Sequence, residues 1–576
     1  MIKNFFLINF SKKKKFENYQ IQKGIKSKLD IFSDEKSKTI IFGNPSLNSQ
    51  INNENFYKDW KNKYLKKNYS KIDGEFIIID ISKIDNKITV INSRFASPTL
   101  FYYIDNEEVY LSNNFFCIAK ILKKKNKFKL NQNALYEFFK FRRIFGEKTL
   151  DISSRFLMPF SVLEIDNKTH KISKFWTPNY KKNNQKLNDN ADTLKIELIK
   201  SWEFLLSDLK KPLLMLSGGL DTRFALATCP VQLDCLNYSY SKNRESDAAK
   251  ESCEAVGQKY IWKKLEIGKY SKYHDYSASV NSSMYVVDAV HYGHEDITDN
   301  YDAVFSGYAI DWFFQGWYSP YSSISFLNQQ LYLKIPKNID DDFINFFLKN
   351  CLFLAKGHSI DMFIKNQNQK ILFENLNVEL NKVLDEAKSY SDDKNDWYDF
   401  INIGNPSRKY SYGAQLCLKE YGQHRILPFT NNLYDLYLQL PNKHKFDSRV
   451  ERKALELTNK NLANIPSGNT GFKVKYGSYM QTVSSGMKFI NRILRFKKRD
   501  TSLQRTWLEF GELLNKEYRN EIIKLKNDKY INEIDFLDMD RVTTYINNWL
   551  DGSDKVSSHF LILMLTFKSF MNQIED

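Results

Sequence analysis

One apolar run enters a Ser-Gly-Gly turn and continues directly into a helical pattern, and this arrangement strongly limits the folds open to the chain. Residues Pro212–Leu216 read as a buried strand, and the following helix is predicted to begin near Asp221. Glycines without a Cβ let backbone N–H groups approach an anion closely. The helix N-terminus behind them supplies unsatisfied donors and a positive dipole end. The pattern therefore predicts an anion-binding loop within a βα unit.

The neighbouring sequence repeats the strand–helix alternation. Gln232–Tyr240 and Ala303–Ser306 are predicted strands, and Ala191–Leu209 and Asp247–Val256 are predicted helices. Alternation of this kind is typical of a parallel, doubly wound α/β sheet.

The first part of the chain has a different pattern. Its short β-type runs are separated by turn residues and predict an antiparallel meander, and the polar run 181–190 has no periodicity and predicts a linker. With mainly helical sequence after residue 478, the predicted division is 1–174, a linker at 175–192, an α/β domain at 193–477 and a helical extension at 478–576.

Composition excludes several classes of protein. The 576 residues are 42% hydrophobic, which is typical of a globular chain with two or three domains rather than a disordered one. The net charge is +17, but the excess of Lys accompanies abundant Asn and Ile, so no nucleic-acid partner is predicted. The six cysteines include no CxxC pair, which disfavours zinc and a disulfide framework.

Targeting and membrane signals are weak. No secretory signal pattern opens the sequence, and the longest apolar run, Phe560–Phe567, is too short to cross a bilayer. A cytoplasmic location is therefore expected. The basic amphipathic segment Met487–Arg499 reads as a surface helix rather than a membrane contact.

The loop sequence is similar to a known phosphate-binding signature. It resembles the Ser-Gly-Gly-X-Asp-Ser loop of the ATP pyrophosphatase superfamily, with Thr222 in place of the last Ser. The resemblance implies ATP and Mg²⁺ as cofactors and cleavage of ATP to AMP and pyrophosphate. The predicted nucleotide-binding residues of this loop are Leu216, Ser217, Gly218, Gly219, Leu220, Asp221 and Thr222.

Two later strings narrow the resemblance to the asparagine synthetase family, including the β-lactam synthetases. The string 304–317 resembles Ser-Gly-Glu-Gly-X-Asp-Glu-X-Phe-Gly-Gly-Tyr, and 421–429 resembles Gly-X-Glu-X-Arg-X-Pro-Phe with His424 and Ile426 at the Glu and Arg positions. The resemblance adds Ser306 and Gly307 to the nucleotide site. It implies that Asp221 and Asp311 bind Mg²⁺.

The amino-terminal part resembles that family's glutamine amidotransferase domain, which implies an αββα sandwich of the Ntn type. The strings 72–76 and 93–103 carry the likeness. Glutamine-hydrolysing members use a cysteine at position 2, where this chain has Ile2, and the first cysteine is Cys117. A degenerate domain without glutaminase activity is therefore expected, with free ammonia or an amine as the nitrogen source.

Two interpretations stay open for each of the three predicted catalytic residues. Tyr308 stands where asparagine synthetases carry Glu, and it either takes part in proton transfer, as a tyrosine does in the β-lactam synthetases, or packs beside the loop. Lys473 and Lys475 either neutralise the leaving pyrophosphate or are solvated, since the chain is rich in Lys.

The predicted function is an ATP-dependent amide-forming ligase of the asparagine synthetase type. A small-molecule or peptide carboxylate would be activated as an acyl-adenylate and attacked by ammonia or an amine. Two alternatives stay open: ammonia-dependent asparagine synthesis, and a catalytically degenerate nucleotide-binding scaffold. The oligomeric state considered for this protein is a homodimer.

Overall fold

The computed structural model describes residues 2–61, 68–285, 289–316, 318–326, 329–351, 360–484, 486, 510–552 and 559–576. Eleven strands of the first 174 residues form two antiparallel sheets. One has the order β2-β1-β8-β7-β9 and the other β11-β10-β6-β5-β4-β3. The strands are β1 Phe6–Ser11, β2 Gln20–Lys23, β3 Leu29–Ser33, β4 Ser37–Gly43, β5 Phe76–Ser82, β6 Lys87–Asn92, β7 Phe101–Ile104, β8 Glu108–Ser112, β9 Arg155–Phe156, β10 Ser161–Ile165 and β11 His170–Lys174.

The two sheets face each other and are covered by helices on their outer sides. Side chains that alternate along the strands, such as Ile8, Ile79 and Leu111, form the apolar layer between the sheets. The opposite faces pack against α1 (Asn53–Lys61) on one side and α2 (Phe115–Lys124) on the other. This arrangement confirms the predicted αββα sandwich.

A five-stranded, entirely parallel sheet follows. Its order is β14 (Lys259–Lys264), β13 (Asp234–Ser239), β12 (Pro212–Met215), β15 (Ala303–Ser306) and β18 (His424–Ile426). Leu214 packs into the apolar core on one face of the sheet, and Leu213 packs into a separate core on the other. The doubly wound parallel sheet is thereby confirmed.

Helices and a two-stranded ribbon surround these sheets. The ribbon pairs β16 (Tyr321–Phe326) with β17 (Gln329–Pro336). The remaining helices are α3 Gln132–Phe141, α4 Leu187–Leu206, α5 Leu220–Thr228, α6 Arg244–Ala255, α7 Lys269–Val280, α8 Glu295–Thr298, α9 Ile310–Phe314, α10 Phe343–Asn350, α11 Asn366–Lys388, α12 Lys394–Ile403, α13 Tyr412–Lys419, α14 Asn431–Gln439, α15 Asn442–Lys445, α16 Arg449–Thr458, α17 Lys460–Asn464, α18 Phe510–Glu517, α19 Arg519–Lys524, α20 Lys529–Asn532, α21 Met539–Leu550 and α22 His559–Glu575.

The carboxy-terminal region is helical, as predicted, and it joins the two sheet systems. Helix α22 packs against α2 of the sandwich and α7 beside the parallel sheet. Phe570, for example, stacks on Phe115 with ring centroids 6.0 Å apart. The apolar run predicted to be too short for a membrane lies buried in this helix. None of the described helices is long and apolar enough to cross a membrane.

The end of the segment predicted to be a polar linker is helical in the structure. Helix α4 begins at Leu187, inside the predicted linker 175–192 and before the predicted helix start at Ala191. The side chains of Asn183 and Asn190 exchange hydrogen bonds of 3.0 and 3.1 Å, and Asn183 also donates from its backbone to Gln439. Tertiary hydrogen bonds therefore fix a segment whose composition indicated a free connection. The predicted surface helix Met487–Arg499 lies outside the described residues.

Candidate active site

A cavity of about 320 Å³ opens at the carboxyl ends of β12, β13 and β15. In a sheet of this order the strand order reverses between β12 and β15, and ligands of doubly wound proteins bind in the crevice at that point. The lining residues are Met215, Leu216, Ser217, Asp221, Thr222, Leu236, Asn237, Tyr238, Glu245, His291, Ser306, Gly307, Tyr308, Asp311, Trp312, Tyr410, Ser411, Gln415 and Leu418.

The structure brings together residues from two of the predicted motifs. Loop residues after β12 and the string after β15 line the same cavity, although about 90 residues separate them in the sequence. Eight predicted site residues are in the lining: Leu216, Ser217, Asp221, Thr222, Ser306, Gly307, Tyr308 and Asp311. Gly218, Gly219 and Leu220 complete the backbone of the loop between them.

Close backbone contacts explain the glycines of this site. A Cβ built on Gly218 would lie 2.7 Å from the carbonyl oxygen of Glu245. One built on Gly307 would lie 2.8 Å from the backbone nitrogen and the Cγ2 of Thr222. Gly307 therefore lets the loops after β12 and β15 approach each other, and Gly218 lets the β12 loop approach the start of α6.

The hydroxyl groups of the loop are already oriented. Ser217 Oγ and Thr222 Oγ1 are 3.0 Å apart, and Ser217 N donates to Thr222 Oγ1 at 3.1 Å. Thr222 therefore supplies a hydroxyl that closes the turn. The loop presents Ser217 and the start of α5 toward the cavity, which suits an anion.

Three acidic side chains meet at the edge of the cavity. Burial and the neighbouring carboxyl of Glu451 raise the pKa of Asp221 well above its usual value. Burial and Asp221 do the same to the pKa of Asp311. Glu451 itself is fully buried on α16, and burial raises its pKa to about 8. Gln315, at the end of α9, donates a side-chain hydrogen bond to Asp221.

These acids fit a hard divalent cation by their chemistry. Mg²⁺ prefers oxygen ligands and is usually held by one or two carboxylates together with substrate phosphates. Within the described part of the chain, no three His, Cys, Asp or Glu side chains are arranged to hold a metal ion among themselves. Asp221 and Asp311 therefore suit a cation that arrives with a phosphate ligand.

Tyr308 lies in an aromatic cluster, and among the described residues its hydroxyl bonds to a backbone carbonyl rather than to a carboxylate. Its ring packs on Trp312, and its hydroxyl donates to the carbonyl of Pro406 at 3.4 Å. Burial and the neighbouring Tyr412 raise the pKa of its phenol well above the usual value. In this arrangement Tyr308 serves better as a hydrogen-bond donor than as a base.

The predicted lysines are not part of the described lining. Lys473 is exposed and Lys475 half-buried, both in the segment after α17. That segment is nevertheless close to the loop, because Gly468 N donates to the carbonyl of Gly218 at 3.0 Å. The site contains neither Lys nor Arg among its described lining residues.

Two buried cationic side chains beside the cavity contact carbonyl groups or an aromatic ring of the protein. Arg223 donates to the carbonyl groups of Gly218, Leu462, Ile465 and Pro466 at 2.6–3.3 Å, which fastens the loop to the segment after α17. Lys409 is fully buried and lies 3.2 Å from the centroid of the Tyr318 ring, and burial lowers its pKa well below the usual value.

Sequence reasoning missed Glu451 and the lining residues from β13 and α6. A signal for Glu451 existed, because Val450, Ala454 and Leu455 mark the buried face of α16 and Glu451 shares that face. An acid on the apolar face of a helix indicates a special role. Nothing in the sequence indicated Asn237 or Tyr238.

Cys117, the first cysteine of the sequence, lies in α2 of the sandwich. Burial raises the pKa of Cys117 to about 12, which keeps this thiol protonated. Glu75, at the start of β5, instead pairs with Lys419 at 2.8 Å and accepts a hydrogen bond from Ile426 N at 3.1 Å. The sandwich is therefore tied to the edge strand of the parallel sheet.

Fold and site together define a mixed α/β protein with a Ser-Gly-Gly loop beside a cavity at the switch point of a parallel sheet. No protein-family model matches the chain, and no curated protein sequence does. Among solved structures, glutamine phosphoribosylpyrophosphate (PRPP) amidotransferase from B. subtilis complexed with ADP and GMP is 11% identical, with a TM-score of 0.18 over 45% of this chain and 59% of that one. An allosteric regulatory enzyme of purine biosynthesis is 9% identical, with a TM-score of 0.20 over 55% and 70%. Likenesses of this extent assign no activity.

Proposed function

We propose that this chain is an ATP-dependent ligase that activates a carboxylate as an acyl-adenylate and joins it to ammonia or an amine. The observation that carries the proposal is the meeting of the Ser217–Asp221 loop with Ser306, Gly307 and Asp311 at one cavity. These residues come from the adjacent strands β12 and β15, where a doubly wound sheet binds its ligand.

The proposed first step is attack of the substrate carboxylate on the α-phosphorus of ATP. The bond to the β-phosphate breaks, so pyrophosphate leaves and the acyl-adenylate remains. Ser217 and the backbone N–H groups at the start of α5 are suited to stabilising the leaving anion. A Mg²⁺ ion held by Asp221 and Asp311 would supply further neutralisation of phosphate charge.

The second step is attack of ammonia or an amine on the acyl carbon, which expels AMP and forms an amide. The amine must lose a proton during this step. Tyr308 lines the cavity and stays the predicted participant, although its pKa is raised and Pro406 accepts its hydrogen bond.

A nucleotide-binding scaffold is the second candidate, and one observation favours it. The described lining has no cationic side chain to neutralise pyrophosphate, because Lys473 and Lys475 lie outside it. The buried acids argue for catalysis instead, since holding Asp221 and Asp311 in a desolvated site has a cost that scaffolding does not require.

ATP–pyrophosphate exchange tests the proposal directly. Purified protein with Mg²⁺ and pools of carboxylic acids should show acid-dependent exchange, and the responding pool identifies the substrate class. Exchange with aspartate as the sole responding acid would make ammonia-dependent asparagine synthesis the function. ATP binding without exchange in any pool would favour the scaffold, and failure to bind ATP would contradict both candidates.

A further inference from the structure

The carboxyl groups of Glu451 and Asp221 are in contact. Glu451 comes from α16 and Asp221 from the first turn of α5, and the two groups interact at hydrogen-bonding range. An ionised carboxylate can only accept hydrogen bonds. The contact is therefore repulsive unless a proton or a cation lies between the two groups.

Glu451 has the properties of a ligand whose partner is a small ion. Its side chain is 0% exposed, and neither carboxyl oxygen has a hydrogen-bond donor among the described residues. A buried charge of this kind is costly unless it is paired or binds a metal. The nearby guanidinium of Arg452 is turned away and pairs with Asp447 at 3.0 Å.

The surrounding packing holds Glu451 in place. Its neighbours Val450, Ala454 and Leu455 are fully buried in the main apolar core. Gln315 stands beside both acids and donates a hydrogen bond from its side-chain amide to Asp221. The motif of the asparagine synthetase family has Gly where this chain has Gln315, so this amide is a feature of this chain.

We propose that Glu451 and Asp221 bind one divalent cation between their carboxylates. The inference rests on the proposed function in identifying Asp221 as a ligand of the nucleotide's cation. Carboxylate oxygens suit a hard ion such as Mg²⁺ or Mn²⁺. Gln315, whose side-chain amide donates to Asp221, would hold that carboxylate in place beside the ion.

The competing interpretation is a shared proton, and Glu451→Gln separates the two. The amide has nearly the same shape and can donate to Asp221 as a protonated carboxyl would. A proton-sharing pair therefore tolerates this substitution with unchanged cation affinity, whereas a cation site loses one anionic ligand. Glu456→Gln is the matched control, because Glu456 lies on the same helix, is partly exposed and pairs with Lys453 at 3.0 Å.

The experiment uses the full-length protein, stripped of metal with a chelator and titrated with Mn²⁺ alone. Electron paramagnetic resonance measures the free ion for the wild type, Glu451→Gln, Glu456→Gln and Asp221→Asn. We expect Glu451→Gln to weaken Mn²⁺ binding by about tenfold or more, as losses of metal-site groups commonly do. Asp221→Asn should weaken it as well, and Glu456→Gln should bind like the wild type.

A second measurement needs no substitution at Glu451. Fe²⁺ bound in place of Mn²⁺ and oxidised with peroxide cleaves the backbone beside its ligands, so the wild type should be cut near both 221 and 451. Three results would each overturn the inference. The first is equal Mn²⁺ affinity of Glu451→Gln and the wild type, and the second is no Mn²⁺ binding by the wild type. The third is cleavage near 221 without cleavage in α16. Binding of a non-hydrolysable ATP analogue is measured separately. If Glu451→Gln loses Mn²⁺ binding but the wild type does not bind the analogue, the cation site is supported and the proposed ligase is rejected.

Discussion

The side-chain amide of Gln315 donates a hydrogen bond to the carboxylate of Asp221. Gln315 also donates from its backbone to the carbonyl of Asp311 at 2.9 Å, one helical turn earlier. A single residue therefore connects the acid after β12 with the acid after β15. The relative position of these two predicted cation ligands is fixed by protein contacts before any ligand binds.

Replacing either predicted cation ligand with its amide should remove activity and increase stability. Asp221 and Asp311 have raised pKa values because they are desolvated and repel each other. Asp221→Asn and Asp311→Asn remove that repulsion, so we expect a higher melting temperature in the absence of metal and no ATP–pyrophosphate exchange. The increase in melting temperature over the wild type should grow as the pH rises, because the folded wild type must then hold these two carboxyl groups in their charged form.

Calorimetry from pH 6 to 8 and an exchange assay measure the two effects. Asp299→Asn is the matched control, since Asp299 is exposed and pairs with Lys26 at 3.0 Å. A melting temperature below that of the wild type for both site variants would contradict the electrostatic argument.

Gly307→Ala should disrupt the site from its backbone. The new Cβ would lie 2.8 Å from Thr222 N and 3.1 Å from the carbonyl carbon of Asp221, so the two loops must separate. We expect a loss of about 2 kcal/mol in the free energy of unfolding, typical of forced overpacking, and weaker ATP binding. Gly486→Ala, which meets nothing within 4 Å, is the control in urea denaturation. An unchanged stability would mean that the loops separate without cost.

The sequence predicted the elements that local pattern determines. Strand β15 has the predicted bounds, the parallel sheet followed from the strand–helix alternation, and the sandwich was implied by the resemblance of the strings 72–76 and 93–103. The polar run before α4 was misjudged, because the hydrogen bonds of Asn183 with Asn190 depend on how that segment folds back.

The partners of the predicted acids could not be derived in the same way. Glu451 and Gln315 reach Asp221 through helices that are distant in sequence, and their contact depends on the packing of α16 against α5. Pairwise contacts of this kind arise from tertiary structure, which one sequence does not specify. The signature loop was recognisable because its chemistry lies in consecutive residues.

Arg223→Met should destabilise the loop without removing a pyrophosphate ligand. The guanidinium of Arg223 is fully buried and donates to four backbone carbonyl groups. Methionine fills similar volume but removes these four hydrogen bonds from a charged donor, and a hydrogen bond of that kind contributes about 1.5–3 kcal/mol. We expect a clearly lower free energy of unfolding. The exposed Arg519 provides the control Arg519→Met, and equal stability of the two variants would contradict this role.

Tyr308→Phe separates proton transfer from packing. The ring contacts with Trp312 and Tyr412 are kept, and the lost hydrogen bond to Pro406 is long at 3.4 Å, so the fold should change little. We expect ATP–pyrophosphate exchange to persist, because adenylation needs no proton from the phenol. Amide formation is then measured with the acid that the exchange assay identifies: a large decrease supports proton transfer, and an unchanged rate leaves packing as its role.

His424 gives the site a defined dependence on pH. Its ring is 5% exposed and lies 3.1 Å from Ser306 Oγ, and burial lowers its pKa well below the usual 6.5. The unfolded chain therefore binds a proton near pH 6.5 that the folded chain does not bind. The neutral ring therefore contributes its full share to the free energy of unfolding above pH 6.5. Below that pH the contribution decreases by about 1.4 kcal/mol for each pH unit of acidification.

The variant His424→Gln removes this titration while keeping a polar side chain beside Ser306. Its destabilisation relative to the wild type should be largest at pH 7.5 and smaller by about 2 kcal/mol at pH 5, measured by urea denaturation. His170→Gln, which changes an exposed imidazole on β11, controls for the loss of a histidine elsewhere. A constant difference between pH 5 and 7.5 would mean that the buried ring accepts its proton without unfolding, which would contradict the burial of His424 against β15.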